Sequence, residues 1–200
     1  MRPLILLLCV AIWDGALSHR SAPTHTHDEA MFAWMGGSDE PCTRALEPRC
    51  RGSYSGSTPW PGSRCCAHVW SDDAGTAFLF GGYGYDASGR EGYLSDLWAL
   101  NMTAAAWRWV GGSNKVNQPN QADWPGARHY AAYAHDRAGA GFYLFSGQGV
   151  ADALLDDWWH LDIHTMAWTL LGNSSTANAP VPRKWSNFWA GVHMSMTTEC

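Results

Sequence analysis

Three arginines end the same short motif, at Pro61-Gly-Ser-Arg64, Pro125-Gly-Ala-Arg128 and Pro180-Val-Pro-Arg183. A guanidinium presents a planar fork of donors that matches a carboxylate or phosphate. Arg64, Arg128 and Arg183 could therefore line a basic ring for an acidic ligand. The competing reading is that each pairs with a carboxylate or carbonyl at a strand end, because a buried arginine must be paired. His129, His160 and Tyr130 are residue types that ligate copper, but their spacing fixes no ligand set, so no metal and no cofactor is expected. His19, His25 and His27 lie in a polar stretch that lacks the second shell a metal site needs. No phosphate loop, catalytic triad or carboxylate pair is present. Binding is favoured over catalysis.

The segments that must position these residues come in two copies. The first, 76–113, reads TAFLFGGYGYDASGREGYLSDLWALNMTAAAWRWVGGS; the second, 141–174, reads GFYLFSGQGVADALLDDWWHLDIHTMAWTLLGNS. Phe145 answers Phe80, Asp157 answers Asp96, Trp159 answers Trp98 and Trp168 answers Trp107. Short apolar runs bounded by Gly, Asp and Asn are strand signals. Each copy, with the apolar segment after its Pro-x-x-Arg, predicts four antiparallel strands: 65–71, 76–82, 95–101 and 106–111, then 129–135, 141–147, 156–162 and 167–171. Strands running up and down place the long loops 39–64, 82–95, 112–128 and 148–156 on one side and the short turns on the other. Recognition usually lives in long loops on a rigid scaffold. The expected ligand-binding residues on that side are Tyr83, Tyr85, Asp86, Arg90, Tyr93, Trp60, Trp124 and Gln148.

Thirteen Trp, 21 Gly and only 16% charged residues suit short strands joined by turns. A net charge of −5 offers nothing to a phosphate backbone, so nucleic acid is an unexpected partner. Residues 1–18 have the basic start, short apolar core and small residues of a signal peptide, with cleavage predicted after Ser18. No later segment has the length of a membrane span. In an oxidising compartment, Cys42, Cys50, Cys65 and Cys66 predict two local disulfides of open connectivity and leave Cys200 without an obvious partner. Asn101-Met-Thr and Asn173-Ser-Ser are glycosylation sequons.

An apolar run ending in Gly-Gly, then Asp-Leu-Trp, then a Trp seven residues after Leu100, resembles the kelch repeat, one blade of a β-propeller. The stretch from Tyr83-Gly-Tyr-Asp86 to Gly92-Tyr93-Leu94 resembles the long-looped subgroup of secreted and cell-surface proteins. Leu100 and Leu161 stand where the family usually has Tyr, and Ser146-Gly147 replaces Gly-Gly. The resemblance implies an all-β fold of kelch-type blades, each with four antiparallel strands, in a ring that this chain leaves incomplete. It divides the chain into a signal peptide (1–18), a flexible arm (19–30), a last strand plus Cys-rich loop (31–60), blades at 61–113 and 125–175, and the first strand of a further blade (180–200). A two-blade stack would expose large apolar faces, so further blades are expected from a longer chain or from other copies. The function implied is a secreted module binding a protein or glycan. Copper radical oxidases, whose central domain is similar, and a non-functional fragment are the alternatives.

Overall fold

The computed structural model describes residues 50–136 and 141–173. The segments 1–18, 19–30 and 180–200, with Cys42, Arg183 and Cys200, lie outside the described residues. Within them the chain is all-β. In order the strands are β1 (Arg64–Cys65), β2 (His68–Ser71), β3 (Thr76–Phe80), β4 (Tyr83–Tyr85), β5 (Glu91–Tyr93), β6 (Leu97–Asn101), β7 (Ala106–Gly111), β8 (Arg128–His129), β9 (Ala132–His135), β10 (Gly141–Phe145), β11 (Gln148–Gly149), β12 (Trp158–Asp162) and β13 (Ala167–Gly172). Two four-stranded antiparallel sheets, β2-β3-β6-β7 and β9-β10-β12-β13, are compatible with the blades of a propeller, and the described residues close no ring. No helix among them is long and apolar enough to cross a membrane.

The first strand of each repeat is shorter than its apolar run predicts. Cys66 and Tyr130 both have φ 54°, the left-handed region that ends a ladder. Residues before this break leave the four-stranded sheet and pair elsewhere: β1 joins β4 and β5 in a three-stranded sheet, and β8 joins β11. The second strands end at Phe80 and Phe145 for a related reason, since Gly81 and Gly82 have φ 66° and 95°, and Ser146 and Gly147 have φ 64° and 107°. Ser146 thus keeps the conformation of Gly81, and its hydroxyl donates to Leu155 O at 2.7 Å. A Cβ on Gly82 would sit 2.6 Å from the Cys65 carbonyl oxygen. Gly82→Ala is therefore expected to cost about 2–4 kcal/mol of stability, read as a lower urea midpoint; a loss under about 1 kcal/mol would contradict this packing.

The motifs meet at one buried node in each repeat. Arg64 donates from Nε to Gly62 O, from Nη1 to Gly81 O, and through its fork to Asp96 at 2.5 and 2.8 Å. Arg128 repeats the pattern with Gly126 O, Ser146 O and Asp157 at 2.6 and 2.7 Å. The indoles of Trp98 and Trp159 donate to the carboxylate two residues before each. This explains the Asp-x-Trp spacing, because alternation along a strand returns the side chain at i+2 to the same face. A fourth donor comes from the preceding linker: the Tyr54 hydroxyl on Asp96 at 2.6 Å, Asn120 Nδ2 on Asp157 at 2.7 Å. Both arginines are buried and fully engaged. They are not an open ring for an acidic ligand.

Between the two sheets lies a continuous apolar core. Trp70, Phe78, Phe80, Leu97 and Ala99 of the first face Ala131, Phe142, Leu144, Trp159, Leu161 and Trp168 of the second. Trp168 packs on Phe80 with ring centroids 5.2 Å apart, and Trp70 on Phe142 at 5.0 Å. Trp98 and Trp159 are fully buried, each removing roughly 150–250 Å² from water. The sheets are also joined by main chain: Gly82 N–H donates to Arg128 O at 2.8 Å, and Arg128 N–H to Leu94 O at 3.0 Å.

Cys65 is an exposed free thiol at the end of β1. Two disulfides within the set Cys42, Cys50, Cys65 and Cys66 would use all four cysteines, so the free Cys65 leaves no partner for the second.

Candidate functional site

The seam between the sheets assembles a group of aromatic side chains on the long-loop side. Arg128 bonds through its backbone to residues 82 and 94, so its neighbour His129 comes to lie among their neighbours Tyr83 and Tyr93. The His129 ring is 5.0 Å from that of Tyr93 at 80°, 6.4 Å from Tyr83, and 4.1 Å from Tyr130. Tyr83 and Tyr93 are cross-strand partners in β4 and β5, with rings 5.3 Å apart and 79° between planes. Tyr130 is 43% exposed, turned outward by its positive φ. Edge-to-face rings at these distances attract through their quadrupoles.

Polar groups close the arrangement. His129 faces Gln148 across the β8–β11 ladder, with Nε2 3.1 Å from the acceptor Oε1, so Nε2 carries the proton. Burial lowers the pKa of His129 from the ordinary histidine value, opposed by the Gln148 hydrogen bond and the Asp152 charge. The Tyr93 hydroxyl donates to Asp152, which sits at the end of the 3-10 turn Val150–Asp152. That hydrogen bond, with burial and the Asp152 charge, pushes Tyr93 up to about 12. Tyr83 is also raised, by burial first and then by the charges of Glu91, Cys65 and Asp152.

Three residues expected from the sequence meet here: Tyr83, Tyr93 and Gln148. Tyr85 is half-buried on β4, while Arg90 is exposed at the turn between β4 and β5. Asp86, expected among the ligand-binding residues, is only 1% exposed. Its carboxylate caps its own turn by accepting from the Ser88 N–H and hydroxyl, the Arg90 N–H and the Val116 N–H. Burial alone would raise its pKa, yet these bonds hold it below the usual carboxylate range. Trp124 also departs from expectation: it is half-buried against Gly111 and Gly112, donates to Ser95 O at 2.7 Å, and meets Trp168 edge-on. Trp60 is exposed, its indole bonded to Arg51 O.

Asp152 is the member that sequence reasoning missed, and His129 and Tyr130 entered there only as copper-type residues. Their repeat position supplied a signal, since His129-Tyr130 follows Arg128 as Cys65-Cys66 follows Arg64. His160 lies away from the group, 3.3 Å from Asp136. Among the described residues no three His, Cys, Asp or Glu side chains converge as metal ligands would. Asn101 is exposed on the short-turn side, where its Oδ1 accepts from the Thr103 and Ala104 N–H groups; Asn173 follows β13.

No family model and no curated protein matches the chain.

Proposed function

We propose that the chain is part of a secreted kelch-type β-propeller that binds a protein or glycan through its long-loop face. The observation that carries this reading is the group Tyr83, Tyr93, His129 and Tyr130, drawn from two repeats and half-open to solvent. Exposed aromatic side chains on rigid backbone supply contact area at small entropic cost. The kelch reading is supported by Gly81-Gly82 and Asp-Leu-Trp, each of which has a structural task at the buried node. Secretion is supported by the amino-terminal pattern and by the sequons at Asn101 and Asn173.

The test is to screen purified chain against peptide and glycan arrays, alongside the Tyr83→Ser, Tyr130→Ser double variant. Tyr130 is exposed and Tyr83 half-buried on a short strand, so the variant is expected to fold. Losing an aromatic contact typically costs about 1–3 kcal/mol of binding, a fall of roughly 5- to 150-fold in affinity for any ligand found. Binding that survives both substitutions unchanged would reject this face.

A further inference from the structure

Resting on the long-loop reading, we infer that the aromatic group receives a cationic side chain, a lysine or arginine presented by a basic peptide segment of a partner protein. Three observations carry the assignment. First, the rings form walls rather than a platform: Tyr83 and Tyr93 stand at 79°, Tyr93 and His129 at 80°. A sugar ring stacks on a broad flat aromatic face, whereas rings packed edge to face at 5.3 and 5.0 Å turn separate faces in different directions, each able to attract an ammonium or guanidinium ion.

Second, the charges bordering the group are negative. Asp152 is exposed and tied to the Tyr93 hydroxyl, so the carboxylate is held at the rim. Glu91 is exposed on β5, two residues from Tyr93, and pairs across the ladder with Tyr85. Third, the one basic-type ring in the group does not oppose a cation. His129 Nε2 donates to Gln148 Oε1 at 3.1 Å, so this N–H is already spent, and burial lowers the pKa of the ring that stands between the tyrosines. An acceptor carboxylate beside electron-rich rings is complementary to a positive group and penalises an anionic one. Of the nearby basic residues, Arg128 precedes His129 but is spent on Asp157, and Arg90 precedes Glu91 outside the aromatic pairings.

The experiment uses the full chain and four probes: an arginine- and lysine-containing hexapeptide, its glutamate-substituted counterpart, a neutral oligosaccharide and tetramethylammonium. Binding is followed by intrinsic fluorescence at 50 and 300 mM salt. The basic peptide is expected to bind, to weaken several-fold at the higher salt, and to lose roughly tenfold in Asp152→Asn and in Tyr93→Leu. Asp152→Asn is the folding-safe variant, because an amide oxygen still accepts from the Tyr93 hydroxyl. If the oligosaccharide binds instead, without salt dependence but with loss in Tyr93→Leu, the cation assignment falls while the long-loop reading stands. Saturable binding of tetramethylammonium with no peptide binding would overturn the peptide as the source of the cation. Basic-peptide binding indifferent to both variants would overturn the site, and no probe responding to Tyr93→Leu would remove the long-loop reading as well.

Discussion

Asp157→Ala is expected to lower the unfolding free energy by about 3–5 kcal/mol, the usual cost of leaving one member of a buried ion pair alone. Arg128 would keep its two carbonyl partners but lose the carboxylate, inside a site where it has no exposure. Trp159 and Asn120 would each lose an acceptor at the same time. Since a small domain is stable by only about 5–15 kcal/mol, the variant should approach the edge of folding at 25 °C. Urea unfolding followed by tryptophan fluorescence gives the figure, and a loss below 1 kcal/mol would refute the node as described. Arg128→Met with Asp157→Leu should recover part of the loss, because the costly state is the unpaired charge rather than the absence of the pair. Burial pushes the Asp157 carboxyl up, but the hydrogen bonds and charge of Arg128, with the bonds from Trp159 and Asn120, hold it below its usual range. A depressed carboxyl contributes stability that is complete above the unfolded value near 3.8 and is lost as pH falls through the folded one.

Acid sensitivity should begin well above that window, and His68 is the reason. It is fully buried on β2, neither ring nitrogen has a hydrogen-bond partner, and it packs between Phe80 and Tyr133. Burial first, then the charges of Arg128 and His129, lower its pKa from 6.5 to about 3. The unfolded chain takes up the proton as pH drops below 6.5, whereas the folded chain resists until about 3. Stability from this residue is therefore intact above pH 6.5 and declines by about 1.4 kcal/mol per unit below it. The full shift corresponds to a loss on the order of 5 kcal/mol. His68→Leu is expected to flatten the stability profile between pH 6 and 4 while leaving stability at pH 7 equal or higher, because two orphaned polar atoms disappear. Parallel wild-type and His68→Leu profiles across that range would contradict the assignment.

The two repeats, their four strands and the side carrying the long loops are all legible in the sequence, since each rests on local periodicity and turn residues. Strand ends are less so. An apolar run such as CCAHVW does not announce a left-handed residue at Cys66, and Tyr130 is a residue type that rarely adopts that conformation. The pairing of Arg64 with Asp96 and of Arg128 with Asp157 crosses about 30 residues and depends on which side of a strand each occupies. The motifs could be seen recurring without showing that they meet. Asp86 misleads for a related reason: an aspartate in a glycine-rich loop reads as exposed, yet it is consumed by the turn it makes. The aromatic group draws on four segments, so Tyr83, Tyr93 and Gln148 could be placed on one side without showing that His129, Tyr130 and Asp152 join them.

Arg128 binds the preceding repeat through its main chain and its own repeat through its side chain. Both main-chain partners, Gly82 and Leu94, are made before Arg128 leaves the ribosome; Asp157 is made 29 residues later. Each new repeat can thus be anchored to finished structure before its own carboxylate exists. Arg128 is the last tie of the first repeat and the first of the second, made in the order of translation. The apolar strands of the second repeat then meet a finished partner face, which shortens the interval in which they stand uncovered during synthesis.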